Sequence, residues 1–163
     1  MSGGTPPDSK EPPDGVVVKP AVPDDRLDIL RVLDAAMLET DAETVAAATN
    51  VGNGGAAGDA LVARFERTDA VVGALVATRP ESERLHVDAV AVRRARRGRG
   101  IGSALVAAVV GRAERDPAVD AVTAEFDSKL AGFYTGLGFE VGDGAGSSET
   151  GRLCGRRSVR AGA

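Results

Sequence analysis

The residues best suited to chemistry lie in one segment, where a short apolar run meets a turn rich in glycine and arginine. The run Val90-Ala91-Val92 is followed by Arg93-Arg94-Ala95-Arg96-Arg97-Gly98-Arg99-Gly100-Ile101-Gly102-Ser103. Glycines let a backbone approach a ligand closely, and the first amides of a helix have no partners within it. The field at a helix N-terminus also favours phosphate. The segment therefore predicts a site for a pyrophosphate group.

The spacing of the glycines disfavours the common nucleotide-binding folds. A dinucleotide fingerprint beginning at Gly98 would need a glycine at position 103, where Ser103 stands. The pattern G-x-x-x-x-G-K-[ST] does not occur anywhere in the chain. A phosphate-bearing ligand of another class is therefore expected.

Two motifs identify that class by resemblance. Arg97-Gly98-Arg99-Gly100-Ile101-Gly102 resembles [RQ]-x-x-G-x-[GA], the acyl-CoA-binding signature of the GNAT superfamily of N-acyltransferases. Phe133-Tyr134-Thr135-Gly136-Leu137-Gly138-Phe139 resembles the F-Y-x-x-L-G-F ending of the last helix of that family. The beginning of the chain, Val18-Lys19-Pro20-Ala21 and a capped helix, is similar to the first strand and helix. The resemblance implies direct transfer of an acetyl (acyl) group from acetyl-CoA to a primary amine in a ternary complex, without a metal.

The resemblance also implies which residues hold the cofactor. In the family, pantetheine lies between the fourth and fifth strands, which correspond here to residues 85–92 and 119–126. A main-chain amide near Ala91 or Val92 would then stabilise the oxyanion that forms on the thioester carbonyl. The cofactor-binding residues implied are Val90, Ala91, Val92, Arg97, Gly98, Arg99, Gly100, Ile101, Gly102, Ser103, Asp127 and Tyr134.

Tyr134, the only tyrosine of the chain, matches the tyrosine that protonates the departing CoA thiolate in many members of the family. A phenol with a pKa near ~10 suits a thiol of similar acidity. A tyrosine on an amphipathic helix can equally pack with its hydroxyl satisfied, so a structural role stays open. Asp127 stands where many relatives carry an asparagine that contacts the cofactor, and it would also make a good helix N-cap.

The candidate general bases lie on the two strands that flank pantetheine in the family. Strict alternation along residues 85–92 places His86 and Asp88 on the same face as Val90 and Val92. Asp88 and, on the neighbouring strand, Glu125 could each accept the proton of the amine through water, or could instead pair with arginine. His86 titrates near neutrality, although a lone histidine is more often structural than catalytic.

Composition bounds the class of protein. A chain of 163 residues with 43% hydrophobic content suits one domain, predicted over residues 15–160 after a disordered lead-in of residues 1–14. The net charge of -4 gives no general attraction to nucleic acid or to an anionic membrane. The single cysteine, Cys154, cannot form an internal disulfide, which indicates a cytoplasmic protein, and it is expected to be a buried, inert thiol.

The hydrophobic periodicity predicts the element order β-α-α-β-β-β-α-β-α-β-β. Strands are expected at residues 16–19, 60–65, 71–77, 85–92, 119–126, 139–141 and 153–159, and helices near residues 29–37, 41–48, 101–109 and 127–137. With the resemblance, this order predicts an α/β (α+β) GNAT fold, a mixed sheet of about seven strands with about four helices on both faces.

Other functions stay open on the sequence. Fold and cofactor site can outlive chemistry, so a catalytically silent acyl-CoA-binding sensor or interaction module is the main alternative. The arginines of residues 93–99 could form a nucleic-acid patch, but the aromatic residues cluster elsewhere and the net charge is negative. Arg93, Arg94 and Arg96 are either solvated surface or a contact to the 3'-phosphate of CoA. The acceptor amine, whether a small molecule, a protein N-terminus or a lysine, is not identified, and a homodimer is left open.

Overall fold

The computed structural model describes residues 15–35, 59–93, 100–127, 130–143 and 152–159. These residues contain seven strands and three α-helices: β1 (Val16–Pro20), α1 (Arg26–Ala35), β2 (Asp59–Phe65), β3 (Ala70–Glu81), β4 (Arg84–Val92), α2 (Ile101–Arg115), β5 (Ala121–Asp127), α3 (Ala131–Gly136), β6 (Glu140–Asp143) and β7 (Arg152–Ser158). All seven predicted strands are therefore present in the predicted order. The predicted helix at residues 41–48 lies outside the described residues.

The strands form one mixed sheet in the order β1-β2-β3-β4-β5-β7-β6. Every neighbouring pair is antiparallel except β4 and β5, which are parallel. Parallel neighbours need a crossover connection, and α2 lies in the chain between them. The only parallel pair of the described sheet thus stands next to the helix that begins at the glycine-rich segment.

Helices cover both faces of the sheet, which confirms the predicted α/β class. On one side, called the α1 face, Ile29, Val32 and Leu33 of α1 pack with Val62 and Val76 of the sheet. On the other side, called the α2 face, the helices α2 and α3 share one core with the sheet. Helix α2 is apolar on most sides because its Ile101, Leu105, Val106, Val109 and Ala113 are fully buried there.

The last helix begins later than the sequence predicts. Asp127 is the last residue of β5, where it is paired with Arg152 of β7, and α3 begins at Ala131 with Leu130 at its N-cap. Asp127 is therefore not the N-cap of α3, and residues 128 and 129 between the two lie outside the described residues. Pairing with a strand that lies far along the chain extends β5 beyond the point at which local sequence favours a helix.

A buried ion pair fixes the beginning of α1 to β2. The carboxylate of Asp25, which is 3% exposed, accepts a hydrogen bond from the Arg64 guanidinium and one of 2.9 Å from the backbone N–H of Val22. Arg64 also donates to the backbone oxygen of Asp69 at 2.9 Å. The pair thereby joins the turn before α1 to both β2 and the turn that follows it.

Replacing Asp25 with alanine should lower the free energy of unfolding by about 3 kcal/mol, because a largely buried guanidinium then loses its counter-charge. The neighbouring Asp24 is exposed. Asp24→Ala is therefore the matched control, and it should change stability by less than about 0.5 kcal/mol. Urea denaturation of both variants measures the effect, and equal stabilities would contradict a role for the ion pair.

Candidate functional site

The pairing between β4 and β5 ends before either strand does. Their parallel register runs from Arg84 paired with Ala121 to Val87 paired with Ala124 and stops there. β4 nevertheless continues to Val92, still paired with β3, while β5 continues to Asp127, still paired with β7. A gap therefore opens in the sheet between the C-terminal halves of the two strands.

The parting coincides with a bulge in β4 at Asp88. On β3, Val76 is paired with Ala89 and the next residue, Ala77, with Val87, so Asp88 is the extra residue. A bulge bends a strand and raises its local twist, which turns the end of β4 away from β5.

The bulge also moves the side chains of β4 from one face of the sheet to the other. Before it, Leu85 and Val87 belong to the α2-face core, whereas after it Val90 and Val92 pack there and Ala89 and Ala91 face α1. His86 alternates with Leu85 and Val87, so it lies on the α1 face, opposite to Val90 and Val92. The prediction that His86 shares a face with Val90 and Val92 is therefore wrong, because it assumed unbroken alternation.

The N-terminus of α2 lies beside the end of β4. Gly100 occupies the N-cap with φ 84°, a left-handed conformation that favours glycine. A Cβ built on Gly102 would lie 3.6 Å from Phe133 Cζ and 3.8 Å from Val92 Cγ2. The start of α2, the end of β4 and helix α3 therefore meet at one place. Arg97, Gly98 and Arg99 of the predicted phosphate site lie outside the described residues.

The first turn of α2 also packs closely on β3. A Cβ on Gly73 would lie 3.1 Å from Ile101 Cγ2 and 3.2 Å from Leu105 Cδ1. Glycine at this position lets the helix approach the sheet at its N-terminal end. Ile101 is 1% exposed, so this residue offers a ligand its backbone and not its side chain.

Arg93 has a structural contact that the sequence does not reveal. Its Nε donates a hydrogen bond to the backbone oxygen of Val71 at 2.8 Å, and its backbone N–H donates to Val72 at 2.8 Å. Arg93 therefore holds the end of β4 to β3, and its Nε is engaged there. Arg94 and Arg96 lie outside the described residues.

Tyr134 is surrounded by the other aromatic residues of this region. Its ring stacks on Phe126 with a centroid distance of 4.1 Å. It also packs edge-to-face with Phe133 and with Phe139, at centroid distances of 5.0 Å and 5.3 Å. Tyr134 is 3% exposed. Phe126 belongs to the part of β5 that has left β4, and Phe133 reaches Gly102, so the second motif lies against the gap and against the first motif.

Two carboxylates flank the point where the strands part. Asp88 and Glu125 directly follow Val87 and Ala124, which form the last pair of the register, and both are exposed. Glu125 lies on the α1 face, because Ala124 and Phe126 belong to the α2-face core. Asp88 on β4 and Glu125 on β5 thus lie on opposite sides of the gap between these strands.

His86 lies close to both carboxylates. Its Nδ1 is 2.9 Å from Thr123 Oγ1 on the neighbouring strand. Burial lowers the pKa of His86 below its usual value, as does Arg84, while Asp88 and Glu125 act in the opposite direction. The neutral imidazole is therefore the favoured form at neutral pH.

The lowered pKa makes a prediction about stability. The unfolded chain, in which the pKa returns to about 6.5, binds this proton more readily than the folded chain, so His86 costs stability as the pH falls through 6.5. The unfolding free energy of the wild type relative to His86→Gln should therefore decrease from pH 7.5 to pH 5, as measured by urea denaturation. A difference that is constant or increases toward low pH would contradict the burial of a neutral ring.

Cys154 is exposed, so the prediction of a buried thiol is wrong. The residue is paired with Glu125 across β5 and β7, which places both side chains on the α1 face. Alternation on β7 puts every second residue on this face, where α1 packs on β3 and β4. The thiol of Cys154 therefore lies beside the carboxylate of Glu125, one of the candidate general bases.

The described residues contain no group of three or more His, Cys, Asp and Glu residues that could hold a metal ion. None of their helices is both long and apolar enough to cross a membrane.

Comparison with known proteins supplies the family context of this site. A family model described as an acetyltransferase (GNAT) domain matches residues 56–141. No curated protein matches the chain.

Among solved structures, the Ard1 protein of Thermoplasma volcanium is similar with a TM-score of 0.70 at 18% identity, over 90% of this chain and 99% of that one. A GNAT family N-acetyltransferase of Escherichia coli, solved in complex with CoA, gives 0.68 at 17% identity, over 92% of this chain and 84% of that one. A GNAT-like decarboxylase in complex with isobutyryl-CoA has a TM-score of 0.69 at 16% identity, over 88% of this chain and 100% of that one. At these identities the likeness shows the fold alone.

Proposed function

We propose that this chain, which belongs to the GNAT acetyltransferase family, transfers an acyl group from acyl-CoA to a primary amine, with acetyl-CoA as the expected donor. The observation that carries the proposal is the parting of β4 and β5 directly beside the N-terminus of α2. A thioester arm needs a gap of this kind, and a pyrophosphate needs helix amides next to it. The E. coli structure in complex with CoA supports the choice of ligand.

In this proposal, the pyrophosphate accepts hydrogen bonds from main-chain amides at the start of α2, in the segment from Gly100 to Ser103. Neither Gly100 nor Gly102 carries a side chain that could cover those amides. Arg97 and Arg99 would add two positive charges to the site, and Gly98 would be a further contact to the cofactor. Asp127, at the end of β5, is proposed as a further contact to the cofactor.

The thioester arm would lie along Val90, Ala91 and Val92, where β4 has left its β5 neighbour. Arg93 donates its N–H to Val72 of β3, and successive amides of a strand point to opposite sides, so the N–H of Ala91 is also directed to β3 and that of Val92 to the gap. The main-chain N–H of Val92 would donate to the thioester oxygen as negative charge develops on it. Such a donor is held in place by the pairing of β4 with β3 on the other side. It needs no reorganisation during the reaction.

The acid and the base would act from opposite faces of the sheet. The amine nitrogen attacks the thioester carbon, its proton passes through water to Asp88 or Glu125, and the carbon–sulfur bond breaks as Tyr134 protonates the departing sulfur. Glu125 lies on the α1 face, while Tyr134 packs on Phe126 on the α2 face. The acceptor would therefore approach from the α1 face and the thiol would leave on the α2 face.

The test is release of the CoA thiol from acetyl-CoA in the presence of a panel of amines that includes polyamines, free amino acids, peptide N-termini and lysine peptides. We expect at least one amine to accelerate thiol release above hydrolysis and to gain an acetyl group by mass spectrometry. Tight binding of acetyl-CoA with no acceleration by any amine would instead favour the catalytically silent acyl-CoA-binding module.

The remaining expectations belong to the same proposal. Residues 15–160 would form the acyltransferase domain, preceded by a lead-in of residues 1–14. The protein would act in the cytoplasm, as a monomer or a homodimer. Its partner would be the acceptor amine, and it would bind neither nucleic acid nor a membrane.

A further inference from the structure

Gly155 of β7 lies beneath the aromatic rings that surround Tyr134. It is buried on the α2 face, where it is paired with Ala124 of β5 and with Val141 of β6. A Cβ at this position would lie 3.0 Å from Phe126 Cε2, 3.4 Å from Phe126 Cζ and 3.4 Å from Phe139 Cδ2. Real Cβ atoms are rarely so close to an aromatic carbon, so the two rings occupy the space that a side chain would need.

The backbone conformation does not explain this glycine. Among the described residues, the glycines with positive φ are Gly15, Gly100 and Gly138, and Gly155 is not one of them. Any residue could therefore adopt its backbone conformation. Glycine inside a strand weakens that strand and often marks a place where another group approaches closely. The close neighbours here are Phe126 and Phe139.

These two rings contact Tyr134 from different directions. Phe126 stacks on it at 4.1 Å with an interplanar angle of 14°, and Phe139 meets it at 5.3 Å and 80°. A methyl group at position 155 would displace Phe126 by a few tenths of an ångström, and Tyr134, which stacks on Phe126, has 3% exposure and little room to move. A change in β7 would therefore be transmitted to the tyrosine through the rings.

We propose that Gly155 is a positioning residue for Tyr134: it lets Phe126 and Phe139 settle against β7, and this sets the place of the phenol at the gap between β4 and β5. The inference rests on the proposed function of Tyr134 as the acid. Proton transfer to sulfur depends steeply on donor position, so a displacement of the phenol slows the reaction without removing any group that binds CoA.

The chain offers a clean optical probe and a matched control. Tyr134 is its only tyrosine and it has no tryptophan, so the tyrosine band of the near-ultraviolet circular dichroism reports this residue alone. Gly142 of β6 also faces β7 across an antiparallel pair, and a Cβ there would meet nothing within 4 Å. Gly142→Ala thus repeats the same chemical change in a strand without touching the rings.

We expect Gly155→Ala to alter the tyrosine band and to lower kcat by roughly 10-fold or more with the KM for acetyl-CoA unchanged. Gly142→Ala should leave both as in the wild type. In a Tyr134→Phe background, Gly155→Ala should cause no further loss of kcat, because the hydroxyl through which it acts is gone. Phe126→Leu, which removes the stacked ring while keeping Gly155, provides a second route to the same signature if Gly155→Ala folds poorly.

Two results would overturn the proposal and can be told apart. An unchanged tyrosine band, or a normal kcat, in folded Gly155→Ala would show that Gly155 does not position the phenol, whatever Tyr134 does. A normal kcat in Tyr134→Phe itself would remove the acid role, and the positioning role would fall with it.

Discussion

Tyr134→Phe should lower kcat by about 100- to 10,000-fold while acetyl-CoA binds with unchanged affinity. The substitution keeps the ring that stacks on Phe126 and removes only the hydroxyl. If that hydroxyl protonates the departing sulfur, its contribution exists only in the transition state, so kcat falls and the binding of the ground state does not.

Thr135→Val is the matched control for this experiment. It removes a hydroxyl from the neighbouring residue of α3, where Thr135 Oγ1 donates to the backbone oxygen of Gly132 at 3.2 Å on the exposed side of the helix. We expect normal turnover from this variant. A tyrosine with a purely structural role would give the opposite pattern, a loss of roughly 0.5 to 1.5 kcal/mol in stability with normal kcat of the folded fraction.

Gly102→Leu should weaken binding of acetyl-CoA by at least about 100-fold, close to 2.7 kcal/mol. A Cβ at this position is in ordinary contact with Phe133 and Val92, so the first carbon fits. The rest of a leucine side chain would fill the space where the start of α2 meets the end of β4. Gly102→Ala should therefore bind more tightly than Gly102→Leu, and calorimetric titration of the two variants measures the difference.

Gly111→Leu controls for the effect of leucine on the helix itself. Gly111 lies on the same helix, and a Cβ there would meet only the guanidinium end of Arg115 at 3.6 Å. Affinity for acetyl-CoA should be unchanged in this variant. Gly100 is less suitable for the experiment, because its φ of 84° would strain any residue with a side chain and would mix a backbone effect with a steric one. Undiminished affinity in folded Gly102→Leu would place the phosphate site elsewhere.

Local sequence was enough to predict the strands and the principal helix. The β-branched runs of β1 to β5 alternate or stay apolar, and α2 repeats apolar residues at helical spacing, so each element is determined largely within its own residues. The glycines and the aromatic motif similarly identify Gly102 and Tyr134 as candidates. That Phe133 and Val92 both lie near Gly102 is a tertiary fact, which neither motif contains.

The errors arise where distant pairing decides the local structure. The bulge at Asp88 moves the side chains of β4 from one face of the sheet to the other, which a strict alternation of residues does not predict. The one sequence signal for it is an aspartate in the middle of an apolar strand. Asp127 stays in β5 because β7 pairs with it. Cys154 is exposed although it lies in a strand, and α1 packs on β3 and β4 of the same face; no local pattern encodes which strands a helix covers. Gly155 carried no signal at all, since its neighbours Phe126 and Phe139 are remote in sequence.

The central claim is that acyl-CoA lies between β4 and β5 with its pyrophosphate at the start of α2, and hydrogen exchange tests it most directly. Addition of saturating acetyl-CoA should slow amide exchange in peptides that cover residues 88–92 and 100–104, where amides would gain hydrogen-bond partners from the ligand. Peptides from β1 and β2, which are separated from the gap by β3, should exchange as before. Exchange that is unchanged at residues 88–92 and 100–104 in the presence of millimolar acetyl-CoA would contradict the account.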